Sequence, residues 1–316
     1  MPITKLIEEI ANSDKPLVAS HLTDLSQITA TDMAIFKRAW TTINTERRRQ
    51  IITRLGELVK DNVELNFDLI FRHALADSDT QIRISAIEGL WENEDPSMIQ
   101  TFIKIMENDT SNEAQASAAS ALGKFTAMLE CGVIRESYKT TLGRALLNKF
   151  NDTSVPVEVR RRALEAGATL SLPAVRESIK KAYDSRDERF VISAVYAMGK
   201  TCDDSWLPVL YKEMSNADAE IRYEAANACG EIGVEASVSH LLEHIHDTDI
   251  EVRMAVIQSL GKIGGIEAKK GLQRIAKDPN PAVREAVEQA LDGIETMEDM
   301  TLMEMDTPGE IDDRRN

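Results

Sequence analysis

Five times in succession the chain opens a block with an apolar residue, usually followed by arginine, at a constant step of 31 residues. The openings are Val159-Arg160, Phe190-Val191, Ile221-Arg222, Val252-Arg253 and Val283-Arg284. Four positions on stand Ala163, Ala194, Ala225, Val256 and Val287, and nine positions on mostly glycine, as at Gly199, Gly230 and Gly261. A fixed step of this size marks an array in which one supersecondary unit buries its apolar face only against its neighbours. Within a block, Val238, Leu241, Leu242 and Ile245 fall at i, i+3, i+4 and i+7 and predict a first helix. Asp249 stands where a second helix needs its N-cap, and Val252, Val256, Ile257 and Leu260 form that helix's stripe before Gly264 supplies a left-handed stop. The cap recurs as Asp79, Asp187, Asp218 and Asn280, the last followed by Pro281 at the first helical position.

Three earlier blocks fit the template less closely. They are Ile82-Arg83 with Ala86 and Leu90, then Ala114-Gln115 with Ala118, Leu122 and Gly123, and a degenerate first block of Arg47 with Ile51, Leu55 and Gly56. The total is eight. The wider step before Val159 leaves roughly 14 extra residues near 128–141, which predict a lengthened helix or loop inside one unit. The expectation is an all-α fold, an α-solenoid of about eight helix pairs over residues 45–292. Residues 1–44, with Phe36, Trp40 and Ile43 at helical spacing, read as two capping helices. Residues 293–316, rich in acids and methionine, read as a disordered, flexible acidic tail.

An aspartate, an apolar-Arg pair six residues on, then Ala and Leu-Gly resembles the HEAT family, particularly the short HEAT-like repeats of the phycobilisome-lyase type. The residues carrying the resemblance are Asp77 with Arg83, Asp247 with Arg253 and Asp278 with Arg284, with Asn216 and Arg222 a close variant. It implies a ladder of hydrogen bonds from aspartate to arginine across the turn and to the neighbouring unit. Gln115 and Val191 at the arginine position, and Ser154 and Ser185 at the aspartate position, depart from it. The resemblance implies fold more than function, because such repeats serve many roles.

Composition narrows the function. Aromatic residues make up only 5% of the chain, which favours close helix packing over a sheet. Against 37 basic side chains stand 53 acidic ones, a net charge of −16, so a nucleic-acid surface is not expected. The three cysteines, Cys131, Cys202 and Cys229, are odd in number and lack any C-x-x-C pairing, so neither a disulfide framework nor a zinc site is expected. No apolar run approaches the length of a membrane span, and a soluble cytoplasmic protein with no membrane partner is the expectation.

Candidate chemistry is sparse. His240-Leu241-Leu242-Glu243-His244 matches the inverted zinc-protease pattern, but the step of 31 places Val209 and Gly271 at the position of His240, which marks it as variable. Gly199-Lys200-Thr201 ends like a phosphate loop, yet Gly123-Lys124 and Gly261-Lys262 occupy the same place, so it reads as a repeat ending. One catalytic branch of the resembled family holds two irons with repeated His-Glu pairs, and no His-Glu dipeptide occurs here. No catalytic, cofactor-binding or metal-binding residue is nominated.

What remains is surface. Second helices should line a concave face, and their outward positions hold Ile192, Tyr196, Tyr223, Asn227, Met254 and Gln258, with Arg161 and Arg162 at one end to attract acid. The expected function is a non-catalytic scaffold that binds a protein or peptide there. The alternative is a lyase-like or maturation factor holding a prosthetic group or client protein. A related expectation docks the acidic tail on the chain's own Arg160 to Arg162.

Overall fold

The apolar stripes become helices and nothing else: the computed structural model describes residues 2–26 and 28–306, and no strand occurs among them. The first of two compact units, residues 1–170, holds α1 (Ile3–Ala11), α2 (Ala19–Thr23), α3 (Ala30–Trp40), α4 (Thr45–Asp61), α5 (Asp68–Ala74), α6 (Thr80–Gly89), α7 (Met98–Asn108), α8 (Asn112–Glu130), α9 (Tyr138–Asn151) and α10 (Val157–Gly167). The second, residues 171–316, holds α11 (Pro173–Tyr183), α12 (Glu188–Lys200), α13 (Leu207–Glu213), α14 (Ala219–Ile232), α15 (Ser237–Glu243), α16 (Ile250–Ile263), α17 (Gly265–Ile275) and α18 (Pro281–Asp306). In each unit second helices pack in a row, α4 on α6 on α8 on α10 and α12 on α14 on α16 on α18, with first helices covering one side. This is the stacked helix-pair arrangement of an α-solenoid. No helix among the described residues is long and apolar enough to cross a membrane.

The predicted caps form. Asp79 accepts from the Ile82 N–H, Asp187 from Arg189, Asp218 from Glu220, and Asp249 from both Glu251 and Val252. Gly264 differs from expectation. Its φ of 70° is positive but its ψ of −157° is extended, so the chain passes from α16 directly into α17. The left-handed stop lies one unit earlier, at Gly233 with φ 73° and ψ 18°. The extra residues near 128–141 are taken up by a 19-residue α8, by the turn at Gly132 and by the 14-residue α9.

At the ends, three helices rather than the expected two precede residue 45, and α3 stands beside α5 in the row of first helices. At the other end α18 continues through the boundary expected at 293. Val283, Val287, Ala290 and Ile294 extend one stripe at helical spacing, with Ile294 only 1% exposed, and Lys269 pairs with Glu295 at 3.3 Å and Glu298 at 2.9 Å. Residues 307–316 of the expected tail lie outside the described residues.

The arginine ladder forms across the turn and to the neighbouring block, as the resemblance implies, with the preceding aspartate or asparagine offering its main-chain carbonyl and the following block's aspartate its carboxylate. Arg83 donates to the main-chain carbonyls of Asp77 and Ser78 at 2.9 and 3.2 Å, while its fork clamps the Asp109 carboxylate of the following block at 2.8 and 2.6 Å. Arg222 repeats this, with the carbonyls of Asn216 and Ala217 at 3.0 and 3.1 Å and the Asp247 carboxylate twice at 2.8 Å. Each clamped carboxylate also accepts the N–H two residues on, Asp109 from Ser111 and Asp247 from Asp249, both at 2.8 Å. The bidentate rungs are the strong ones because a planar fork meets a carboxylate with two parallel bonds. Arg253 and Asp278 make a looser contact at 3.8 Å. Gln115, at an arginine position, donates to the Asp109 carbonyl at 2.7 Å and accepts from the Lys149 ammonium at 3.5 Å.

Candidate interaction surface

In the second unit the inner faces of α12, α14 and α16 are built from small side chains. Ala194, Ala197, Ala225, Ala228 and Ala255 are buried, and a Cβ placed on Gly199 would lie 2.6 Å from the Cα of Ala228. Gly230 meets Ser259 in the same way, and the Ser259 hydroxyl donates to the Ala226 carbonyl at 2.8 Å. Helix backbones can come this close only where side chains are absent. In these blocks of the second unit the glycine nine places in, at Gly199, Gly230 and Gly261, is therefore a contact point between neighbouring second helices.

Close approach of α12 and α14 brings Tyr196, Tyr223 and Asn227, all half-buried, to the walls of one cleft of about 240 Å³ with Lys200 and Glu231 at its rim. Glu231 receives Lys200 at 3.0 Å and Lys262 of α16 at 2.5 Å. Burial alone would raise the Glu231 pKa, but the two ammonium groups outweigh it and hold it below the ordinary carboxylate range. Lys200 also lies 5.5 Å from the centre of the Tyr196 ring, a cation–π contact that fixes the ring. The cleft thus offers two half-buried aromatic rings, one of them held by a cation–π contact, an amide with donor and acceptor, and an ion pair in its lining.

The remaining nominated residues separate. Met254 is half-buried and Gln258 exposed on the adjacent α16, outside the cleft wall. Ile192 is only 7% exposed and belongs to the core of its unit. It sits at the same block position as Tyr223, but an aliphatic side chain has no polar tip to carry to water, so it packs inward. Arg161 and Arg162 lie in the other unit and are committed on their own helix. Arg161 meets Glu158 at 3.3 Å and Glu165 at 3.6 Å, and Arg162 meets both at 2.8 Å. Their charge is already compensated, which removes the expected attraction for acid.

The histidine motif is taken up by packing. His240 stacks on Tyr211 with ring centres 3.8 Å apart, His244 is the C-cap of α15, and no group of three potential metal ligands occurs among the described residues. Lys200 and Glu231 were not anticipated as partners. Their 31-residue separation is the block period itself, so the signal was present in the sequence.

Residues 207–292 match the family described as HEAT repeats. No curated protein matches the chain in sequence. Among solved structures, the chain is similar to the complex of CpcE and CpcF of phycocyanin lyase from Nostoc sp. PCC7120, with 17% identity, 90% of this chain and 97% of that chain covered, and a TM-score of 0.51. It is similar to the Kap95:Nup1 complex with 13% identity, 95% and 47% covered, and a TM-score of 0.53. A structure of Kap95p with RanGDP gives 14% identity, 92% and 45% covered, and a TM-score of 0.52. The chain spans under half the length of those two Kap95 chains. At these identities the likeness is one of fold.

Proposed function

We propose, from the premise that this chain carries HEAT repeats, that it is a non-catalytic scaffold whose second-helix face binds an extended or helical segment of a protein partner. The observation carrying this reading is the convergence of Tyr196, Tyr223 and Asn227 on one cleft. Half-buried tyrosines lose little side-chain freedom on binding, and the Asn227 amide can satisfy main-chain groups of a bound segment. The fold is compatible with such work, since the similar Kap95 structures are complexes with RanGDP and Nup1. An apolar or aromatic side chain of the partner fills the space between the rings, and the Glu231 ion pair forms the polar rim.

The doubly substituted Tyr196→Ala/Tyr223→Ala chain tests this. Both rings stand at the surface of their helices, so the variant is expected to melt close to wild type. Affinity for the partner should fall by about 2 kcal/mol or more per ring, roughly 30-fold each. Co-purification from the native host, quantified for wild type and variant side by side, should show one defined protein lost from the variant. An unchanged set of captured proteins, or a purified wild type carrying a coloured group, would overturn the reading.

A further inference from the structure

We propose a second docking site, in the first unit, for a short cationic protein segment that carries a large apolar anchor. The groove lies where the C-terminal ends of α4 and α6 meet the loops that follow them, and its volume is about 710 Å³. The apolar part is Val59, Val63, Phe67 and Trp91, of which Val63 is 92% and Trp91 62% exposed. Large apolar side chains held this far into water along one groove mark an interaction surface rather than ordinary surface scatter.

The sequence shows why the groove exists. Trp91 stands nine places after Ile82, the position at which Gly123, Gly199, Gly230 and Gly261 meet the next second helix. An indole cannot enter that contact. Accordingly α6 ends at Gly89 and Trp91 turns outward. The loop is fixed rather than loose: the Trp91 carbonyl accepts from the Lys124 ammonium at 2.8 Å, Asn93 donates to Asp68, and Arg72 binds Asp95 at 2.7 Å. A ring presented on a pinned loop binds without a large ordering cost.

Charge selects the occupant. Glu64, Asp68, Glu88 and Glu92 border the groove against the single cation Lys60. Among the described residues, no hydrogen bond or ion pair engages the carboxylates of Glu64, Glu88 or Glu92. Three uncompensated carboxylates beside an apolar wall attract Lys or Arg flanking an apolar anchor. The same field disfavours the chain's own acidic C-terminal residues, and a second copy of a chain of net charge −16.

Gly56 gives a substitution that separates binding from folding. It lies inside α4 and lines the groove, and a Cβ there would meet nothing within 4 Å. Leucine at this place favours the helix over glycine while filling the groove. A display library of random short peptides, selected on the full-length chain and counter-screened on Gly56→Leu, tests the site. Peptides that depend on Gly56 should pair Lys or Arg with a large apolar residue and lose about 30-fold in affinity on Trp91→Ala. They should also weaken as salt is raised, and bind Tyr196→Ala/Tyr223→Ala as they bind wild type. The last result keeps this site distinct from the cleft in the second unit, so either can fail alone. The proposal is overturned if Gly56-dependent peptides are neutral or acidic, if selected peptides bind Gly56→Leu equally well, or if a stably folded wild-type chain selects none.

Discussion

Arg222→Ala is expected to destabilise the second unit by about 3–5 kcal/mol. The side chains of Arg222 and Asp247 are 13% and 8% exposed, so removing the guanidinium strands a carboxylate that has little water to turn to. Two main-chain carbonyls, those of Asn216 and Ala217, lose their donor at the same time. A cycle with Asp247→Asn separates the charge from the packing. The amide keeps an acceptor for the Asp249 N–H but carries no charge, so Arg222→Ala should cost markedly less in the Asp247→Asn background.

The same rung predicts a pH dependence whose sign follows from Asp247. The Arg222 hydrogen bond, followed by the Asp249 N–H and the guanidinium charge, holds the Asp247 pKa below its ordinary value despite burial. A carboxyl group with a lowered folded-state pKa contributes stability above its unfolded value, near 3.9, and loses it as pH falls through the folded value. The stability gap between wild type and Arg222→Ala, followed by urea unfolding, should therefore be full at neutral pH and shrink below about pH 4.

Gly199→Val is expected to cost about 3 kcal/mol, at the upper end for overpacking, and to weaken partner binding as well. Its first added atom would fall 2.6 Å from the Cα of Ala228, which is backbone and cannot move aside as a side-chain end can. The helices α12 and α14 must separate, and with them the rings of Tyr196 and Tyr223 that face one cleft. Thermal melts should show the loss of stability. At a temperature where the variant remains folded, affinity should still fall, because ring spacing changes without either ring being removed. Gly56→Leu provides the contrast, since glycine at the same block position faces open space in the first unit.

Much of this was legible in the sequence. A step of 31 residues with caps at Asp79, Asp187, Asp218 and Asn280 fixes helix pairs because period and cap chemistry agree. Tyr196, Tyr223 and Asn227 were legible as outward positions of two adjacent blocks, and they share a cleft. The rest was not. The resemblance implies contacts to the neighbouring unit but not which group takes the fork: it is the Asp247 carboxylate, met by Arg222 from 25 residues earlier. Ile192 and Tyr223 share a block position yet differ in burial, which depends on each side chain's tip and not on its register. The apolar stripe of α18 was visible in Val283, Val287, Ala290 and Ile294, but the abundance of acid around Ile294 hides its continuation past residue 292. Trp91 in a glycine position was the sign of the first unit's groove, readable only once that glycine is understood as a helix contact.

Amide hydrogen exchange of the full-length chain, alone and with the co-purified partner in excess, tests the central claim most directly. Protection should appear on α12 and α14, centred on residues 196–227, and should be lost in Tyr196→Ala/Tyr223→Ala. Protection confined to first helices, or no change along α12 and α14 while the partner remains bound, would contradict a scaffold that works through its second-helix face.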